Sequence, residues 1–174
     1  METSQSMNKI VGGEKAPTPI PWQVHVHITP YNLCRPRNGT CSCGGTILDE
    51  TTILSAAHCF PLDPPFPTST DYIQAGIKVR ASLDGQKIFV KDVIIHPMFN
   101  PMKSSNKDND IAILKLWSPL TFNEHVQPAC LPYPSVMPEN TGMLAVTSGW
   151  GLTSEGNGLA FSALIVVSAA KYLF

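Results

Sequence analysis

Thr52 to Phe60 reads TILSAAHCF, an apolar run that ends on a histidine and a cysteine. An imidazole ordinarily titrates near ~6.5, so His58 has the chemistry to take up and return a proton at neutral pH. The same residue reads equally as a hydrogen-bonded histidine at the edge of a core. His25, His27, His96 and His125 are scattered, and no His-x-x-x-His spacing suits a metal. His25 and His27 alternate with valines, which places them on a half-exposed strand face rather than in a metal pair. Four of the five cysteines, Cys34, Cys41, Cys43 and Cys59, lie close together, and Cys130 stands apart. No Cys-x-x-Cys pair is present, so disulfides in an oxidising compartment are expected rather than zinc. An odd count leaves at least one cysteine without an intrachain partner. Asn38-Gly39-Thr40 is an N-glycosylation sequon.

These groups need a scaffold, and the composition allows one. The chain has 174 residues, 43% hydrophobic and 14% charged, with a formal net charge of −1. That supports an apolar core and gives no basis for a nucleic-acid or anionic-membrane partner. Sixteen prolines favour loops and strands over helices. The opening METSQSMNK lacks the apolar segment of a secretory leader. The apolar stretch Leu159–Ala170 is interrupted by serines and falls short of the ~20 residues of a membrane span, so it reads as a buried strand.

Strands follow from the patterning. WQVHVHI, residues 22–28, alternates, with Val24 and Val26 on one face. Residues 44–59 read as two strands around an Asp49-Glu50 turn. Residues 71–97 give further strands, with Asp84-Gly85 as a hairpin signal. DIAILKLW (110–117), LAVTSGWG (144–151) and SALIVVS (162–168) complete the set. Proline-rich connections occupy 61–67, 100–108 and 128–138. Short strands between turn signals predict an all-β sandwich or barrel.

Five segments in order, KIVGG (9–13), SAAHC (55–59), DNDIAILKL (108–116), VQPACLP (126–132) and SGWG (148–151), resemble the chymotrypsin-like, trypsin-type serine endopeptidases. The resemblance covers roughly residues 9 to 155. It implies an all-β, chymotrypsin-like double antiparallel β-barrel, the first barrel complete (about 20–118), a linker (119–138) and an incomplete second barrel (139–174). Residues 1–9 become a propeptide-like prefix and 10–174 the peptidase domain. His58 then matches the general base and Asp110 the carboxylate that orients it, with Asp108 a loop residue that competes for the assignment. The flanking cysteine and this aspartate favour catalysis over a core role for His58. Cys43 and Cys59 match a family disulfide whose loop constrains the unfolded chain by roughly 3 kcal/mol. Lys9-Ile10 looks like an activation site, cleaved by a trypsin-like protease to free the Ile10 amine. Cys130 matches a cysteine that pairs with a propeptide in the family. It is therefore an unpaired thiol or the mark of an upstream domain. Cys34 and Cys41 are expected to pair. The family implies secretion, protein or peptide substrates and no cofactor. With Asp84 the lone carboxylate in residues 78–89, no calcium or other metal is expected.

The resemblance breaks at the nucleophile. No Gly-Asp-Ser-Gly-Gly stretch occurs in these residues. Ser118, Ser135, Ser148, Ser154, Ser162 and Ser168 all have other neighbours. Tyr172 stands where the family carries a cysteine. The expectation is a C-terminally truncated protease lacking nucleophile, oxyanion hole and S1 pocket, inactive as it stands. The rival expectation is a non-catalytic binding or decoy module, or a partial gene product.

Overall fold

The computed structural model describes residues 14–28, 41–60, 70–80, 82–100, 108–131, 144–151 and 165–170. The expectation of an all-β chain is met. The strands are β1 (Glu14–Lys15), β2 (Gln23–Ile28), β3 (Cys41–Asp49), β4 (Thr52–Ser55), β5 (Tyr72–Ala75), β6 (Gln86–Ile95), β7 (Ala112–Leu116), β8 (Leu144–Gly149) and β9 (Ile165–Ala170). The helical element among the described residues is a single 3₁₀ turn, Ala57–Cys59.

Six strands close into an antiparallel barrel in the order β2-β3-β4-β7-β6-β5. Closure leaves no strand edge unpaired, which is how a short-stranded sheet avoids edge-to-edge association. Period-two alternation supplies the interior. Val24, Val26, Ile47, Ile53, Ile73 and Leu114 are fully buried, and Ala75, Val90, Ala112 and Leu116 join them. At Gly45 the walls come too close for a side chain. A Cβ there would lie 2.8 Å from Ile53 Cγ2 and 2.9 Å from Val24 Cγ2. β5 and β6 pair as antiparallel neighbours, but β5 ends at Ala75 and β6 begins at Gln86, so Asp84-Gly85 ends a longer connection and is not a two-residue hairpin turn. Gly85 takes φ +79° with a Cβ position 2.3 Å from the Ala75 carbonyl oxygen, a place only glycine fills.

The Asp49-Glu50 turn also forms where the sequence placed it, between β3 and β4. Asp49 Oδ1 accepts from the Thr51 N–H at 2.8 Å and from Thr51 Oγ1 at 3.1 Å, the local bonding that favours aspartate in turns. These bonds, the main-chain one foremost, hold the Asp49 carboxyl below its usual range. After β7 the chain stays attached to the barrel. Leu120 N–H donates to Glu50 O, Gln127 N–H to Pro21 O and Ala129 N–H to Ile47 O. Leu120 and Val126 enter the core.

The chain divides into two compact units, one of Pro21–Ile77 and Leu83–Leu131, the other of Met1–Ile20, Lys78–Ser82 and Pro132–Phe174. The first holds the barrel. The second holds a three-stranded sheet in the order β1-β9-β8. Within it Trp150 Nε1–H donates to Lys78 O at 3.0 Å, and Lys78 Nζ to Pro17 O at 2.8 Å. No described helix is long and apolar enough to cross a membrane.

Candidate active site

The site begins in a strand register. β4 and β7 run antiparallel, with Ser55 opposite Ala112 and Leu54 opposite Ile113. The carboxyl end of β4 therefore lies beside the amino end of β7. His58 follows β4 by three residues and Asp110 precedes β7 by two. Sequence-distant residues reach one rim of the barrel because the register puts them there.

Local structure then fixes each side chain. Ala56 is extended (φ −95°, ψ 142°), and the chain turns sharply into the 3₁₀ segment. Cys59 N–H donates to Ala56 O and Phe60 N–H to Ala57 O. Ala57, Cys59 and Phe60 are buried beneath this turn, while His58 points outward. A disulfide from Cys59 to Cys43 ties the turn to β3, which realises the pairing implied by the resemblance. On the other side, Asn109 adopts a left-handed conformation, φ 60°. Asparagine is among the few non-glycine residues that tolerate this region. Ile111 N–H donates back to Asn109 O at 2.8 Å, closing a tight turn with Asp110 at its tip.

The two residues meet through both carboxylate oxygens. His58 N–H donates to Asp110 Oδ1 at 2.8 Å, and His58 Nδ1 lies 2.7 Å from Asp110 Oδ2. An ionised carboxylate only accepts, so the proton between them sits on Nδ1 and Nε2 is left as the basic nitrogen. The Asp110 side chain is 14% exposed and that of His58 45%, so the carboxylate is sheltered and the imidazole reachable. Asp108 is exposed, and the bonds to His58 run to Asp110.

A scan of the chain against family models matches the trypsin family over residues 10–171. The chain is a member of the trypsin family. It is 32% identical over 154 residues to Transmembrane protease serine 9 of Rattus norvegicus, matching 86% of this chain and 13% of that protein. It is 30% identical over 155 residues to Serine protease filzig of Drosophila melanogaster, matching 87% of this chain and 8% of that protein. The chain thus spans a small part of the length of these relatives.

Other expected site residues divide by position. Lys9, Ile10, Cys34 and Asn38 lie outside the described residues, as do the Cys41 side chain and Tyr172. Cys130 of this trypsin-family chain is exposed with a free thiol. The half-exposed reading of His25 needs correction. It is 6% exposed, and its Nε2 is hydrogen-bonded to Ser42 Oγ at 2.5 Å. His27 is half-buried and stacks on Tyr72, with ring centroids 4.4 Å apart. Lys87 Nζ sits over the same Tyr72 ring, 3.9 Å from its centroid. Burial first, then the Lys87 charge, pushes the His27 pKa down. Alternation gave the faces of β2, but contacts outside the barrel come from partners that no local pattern names.

Proposed function

We propose that this chain carries the base-and-orienter half of a trypsin-like serine endopeptidase. His58 is the general base and Asp110 its positioning residue. The observation that carries this reading is the two-point clamp of Asp110 on His58, through main chain and ring together. In peptide hydrolysis Nε2 takes the proton of a serine hydroxyl as it attacks the scissile carbonyl. Asp110 holds the productive tautomer and stabilises the imidazolium that forms. The same Nε2–H then donates to the leaving amine. Activation by cleavage after Lys9, an extracellular location and protein or peptide substrates belong to this reading. The Cys43–Cys59 disulfide and family membership support it.

The nucleophile is not among these residues, since no Gly-Asp-Ser-Gly-Gly stretch occurs in them. The 174-residue polypeptide alone therefore has no serine-type peptidase activity. That same observation favours a second reading, a non-catalytic binding or decoy module. A fluorophosphonate probe separates the two. The 174-residue polypeptide, cleaved after Lys9, is expected to stay unlabelled. A longer natural product containing Gly-Asp-Ser-Gly-Gly is expected to label, and to lose labelling with His58→Ala. Stoichiometric labelling of the short polypeptide, or labelling of a longer product indifferent to His58→Ala, refutes the protease assignment made here. If every natural product stops short of that stretch, the binding-module reading replaces it.

A further inference from the structure

The outer wall of the barrel carries a row of rings across β2, β5, β6 and the end of β7. Val26, Ile28, Ile73, Val90 and Leu116 lie in the core, so alternation turns their neighbours His27, Tyr72, Phe89 and Trp117 outward. Register lines the rings up. His27 stands opposite Tyr72, and Tyr72 stands opposite Phe89. The Trp117 N–H donates to the Phe89 carbonyl at 3.0 Å, which brings the end of β7 alongside. His27 stacks on Tyr72, and Tyr72 meets Phe89 edge to face with centroids 6.3 Å apart. Two lysines of β6 flank the row. Lys87 Nζ lies over Tyr72 and 5.5 Å from the Phe89 centroid, and Lys91 Nζ lies 5.6 Å from the Trp117 centroid. Phe89 is 45% exposed and Trp117 68%. A single exposed ring is ordinary, but adjoining exposed rings rimmed by charge mark an interaction surface.

We propose that this face docks an extended acidic peptide segment laid along β6. Two carboxylates four residues apart meet Lys87 and Lys91, and the apolar side chain midway between them packs on Phe89 and Trp117. Lys87, Phe89 and Lys91 are exposed at alternate positions of β6, and an extended peptide repeats its side chains at the same interval. Each ammonium lies over a ring, which holds its stem in place and leaves N–H donors for a carboxylate. A lysine already ordered loses less freedom on binding. The acidic groups nearby do not occupy these lysines. Asp92 follows Lys91 but stands opposite Lys115 in the register, and its Oδ1 accepts from the Val93 N–H. Asp71 is buried, and Asp84 lies before the strand. Two lysines are too few for the phosphate contacts that hold a nucleic acid or the basic cluster that holds an anionic membrane. The exposed rings favour a partner with apolar side chains. The inference stands without the protease reading, since its readout is binding and not hydrolysis.

The test uses the full 174-residue polypeptide and a fluorescein-labelled peptide with the core Glu-Ser-Phe-Ser-Glu, read by fluorescence anisotropy at low salt. Saturable binding is expected, and added salt should weaken it by screening the exposed charges. Peptides with glutamine for both glutamates, or serine for the phenylalanine, should bind at least about fivefold more weakly. Lys87→Gln with Lys91→Gln should cost about tenfold, since each exposed ion pair is worth up to about fivefold. Trp117→Ala should cost at least about fivefold. Lys15→Gln, exposed on β1, should leave binding unchanged. The substituted side chains are all exposed, and circular dichroism checks that each variant keeps its strand signal. No saturable binding, equal affinity for the glutamine peptide, or indifference to loss of the two lysines overturns the proposal. A heparin oligosaccharide that binds through the same lysines more tightly than the peptide also overturns it, in favour of a sulfated glycan.

Discussion

Asp110 accepts two bonds from one residue, and two substitutions can take them apart. Asp110→Ala removes both acceptors. The bond from the His58 ring contributes little to stability, about 0–1 kcal/mol, because the imidazole is 45% exposed and water replaces the lost partner. The bond from the His58 main-chain N–H is different. It is 2.8 Å long, charge-assisted and made to a carboxylate only 14% exposed. Hydrogen bonds to charged groups contribute about 1.5–3 kcal/mol. Asp110→Ala should therefore cost roughly 2–3 kcal/mol. Asp110→Asn keeps an oxygen for the main-chain N–H and should cost about 1 kcal/mol. It also presents an amide NH₂ to Nδ1, which must then become the acceptor, so the ring proton moves to Nε2. Urea unfolding measures the two costs, and long-range ¹H–¹⁵N spectra of the His58 ring report the tautomer. Equal costs within about 0.5 kcal/mol refute the main-chain clamp. A ring in the asparagine variant that keeps its proton on Nδ1 refutes the account of how Asp110 sets the base.

Further expectations follow from the barrel and its turns. Gly45→Ala forces a Cβ against Ile53, Val24 and the Leu54 carbonyl oxygen, and should lower stability by about 1–3 kcal/mol in urea unfolding. Replacing Cys43 and Cys59 together by serine releases a loop of sequence separation 16 and should cost about 3 kcal/mol, measured against the oxidised protein. His27 has its folded pKa below the ordinary imidazole value of 6.5. The folded state then binds fewer protons than the unfolded one. Its contribution to stability is full above that value and falls as pH drops through 6.5 toward the folded pKa. An NMR titration of His27 should give a midpoint below 6.5 that rises in Lys87→Gln. A midpoint at or above 6.5 counts against the burial argument. Asp49, lowered chiefly by the Thr51 N–H, contributes stability above its ordinary carboxyl range that is lost as pH falls through the lowered value. Asp49→Ala should flatten that acid-side dependence.

The local features were legible because they are local. Alternating valines in β2 and the apolar run of β7 specify strands through period-two burial. Asp49-Glu50 specifies a turn because its backbone preference is intrinsic, whereas the Asp84-Gly85 hairpin signal misled because the length of the β5–β6 connection is not encoded in a dipeptide. His58 and Asp110 could be matched to a family through their neighbours. The short β1, paired with β9 at Glu14 and Lys15, left no such trace, since two residues hold no period. Nor did Asn109 announce its left-handed turn.

The sequence by itself determined that the chain is all-β and that Val24 and Val26 share a strand face, and its resemblance to a family singled out His58 and Asp110. Only the tertiary structure decided that Asp110 Oδ1 holds the His58 main chain while Oδ2 holds the ring, that Nε2 faces Cys59, and that His25 is buried against Ser42. The physical reason is register. A slip of one residue between β4 and β7 would reverse every side chain and part the pair, and register is set by closure of the whole barrel rather than by either strand.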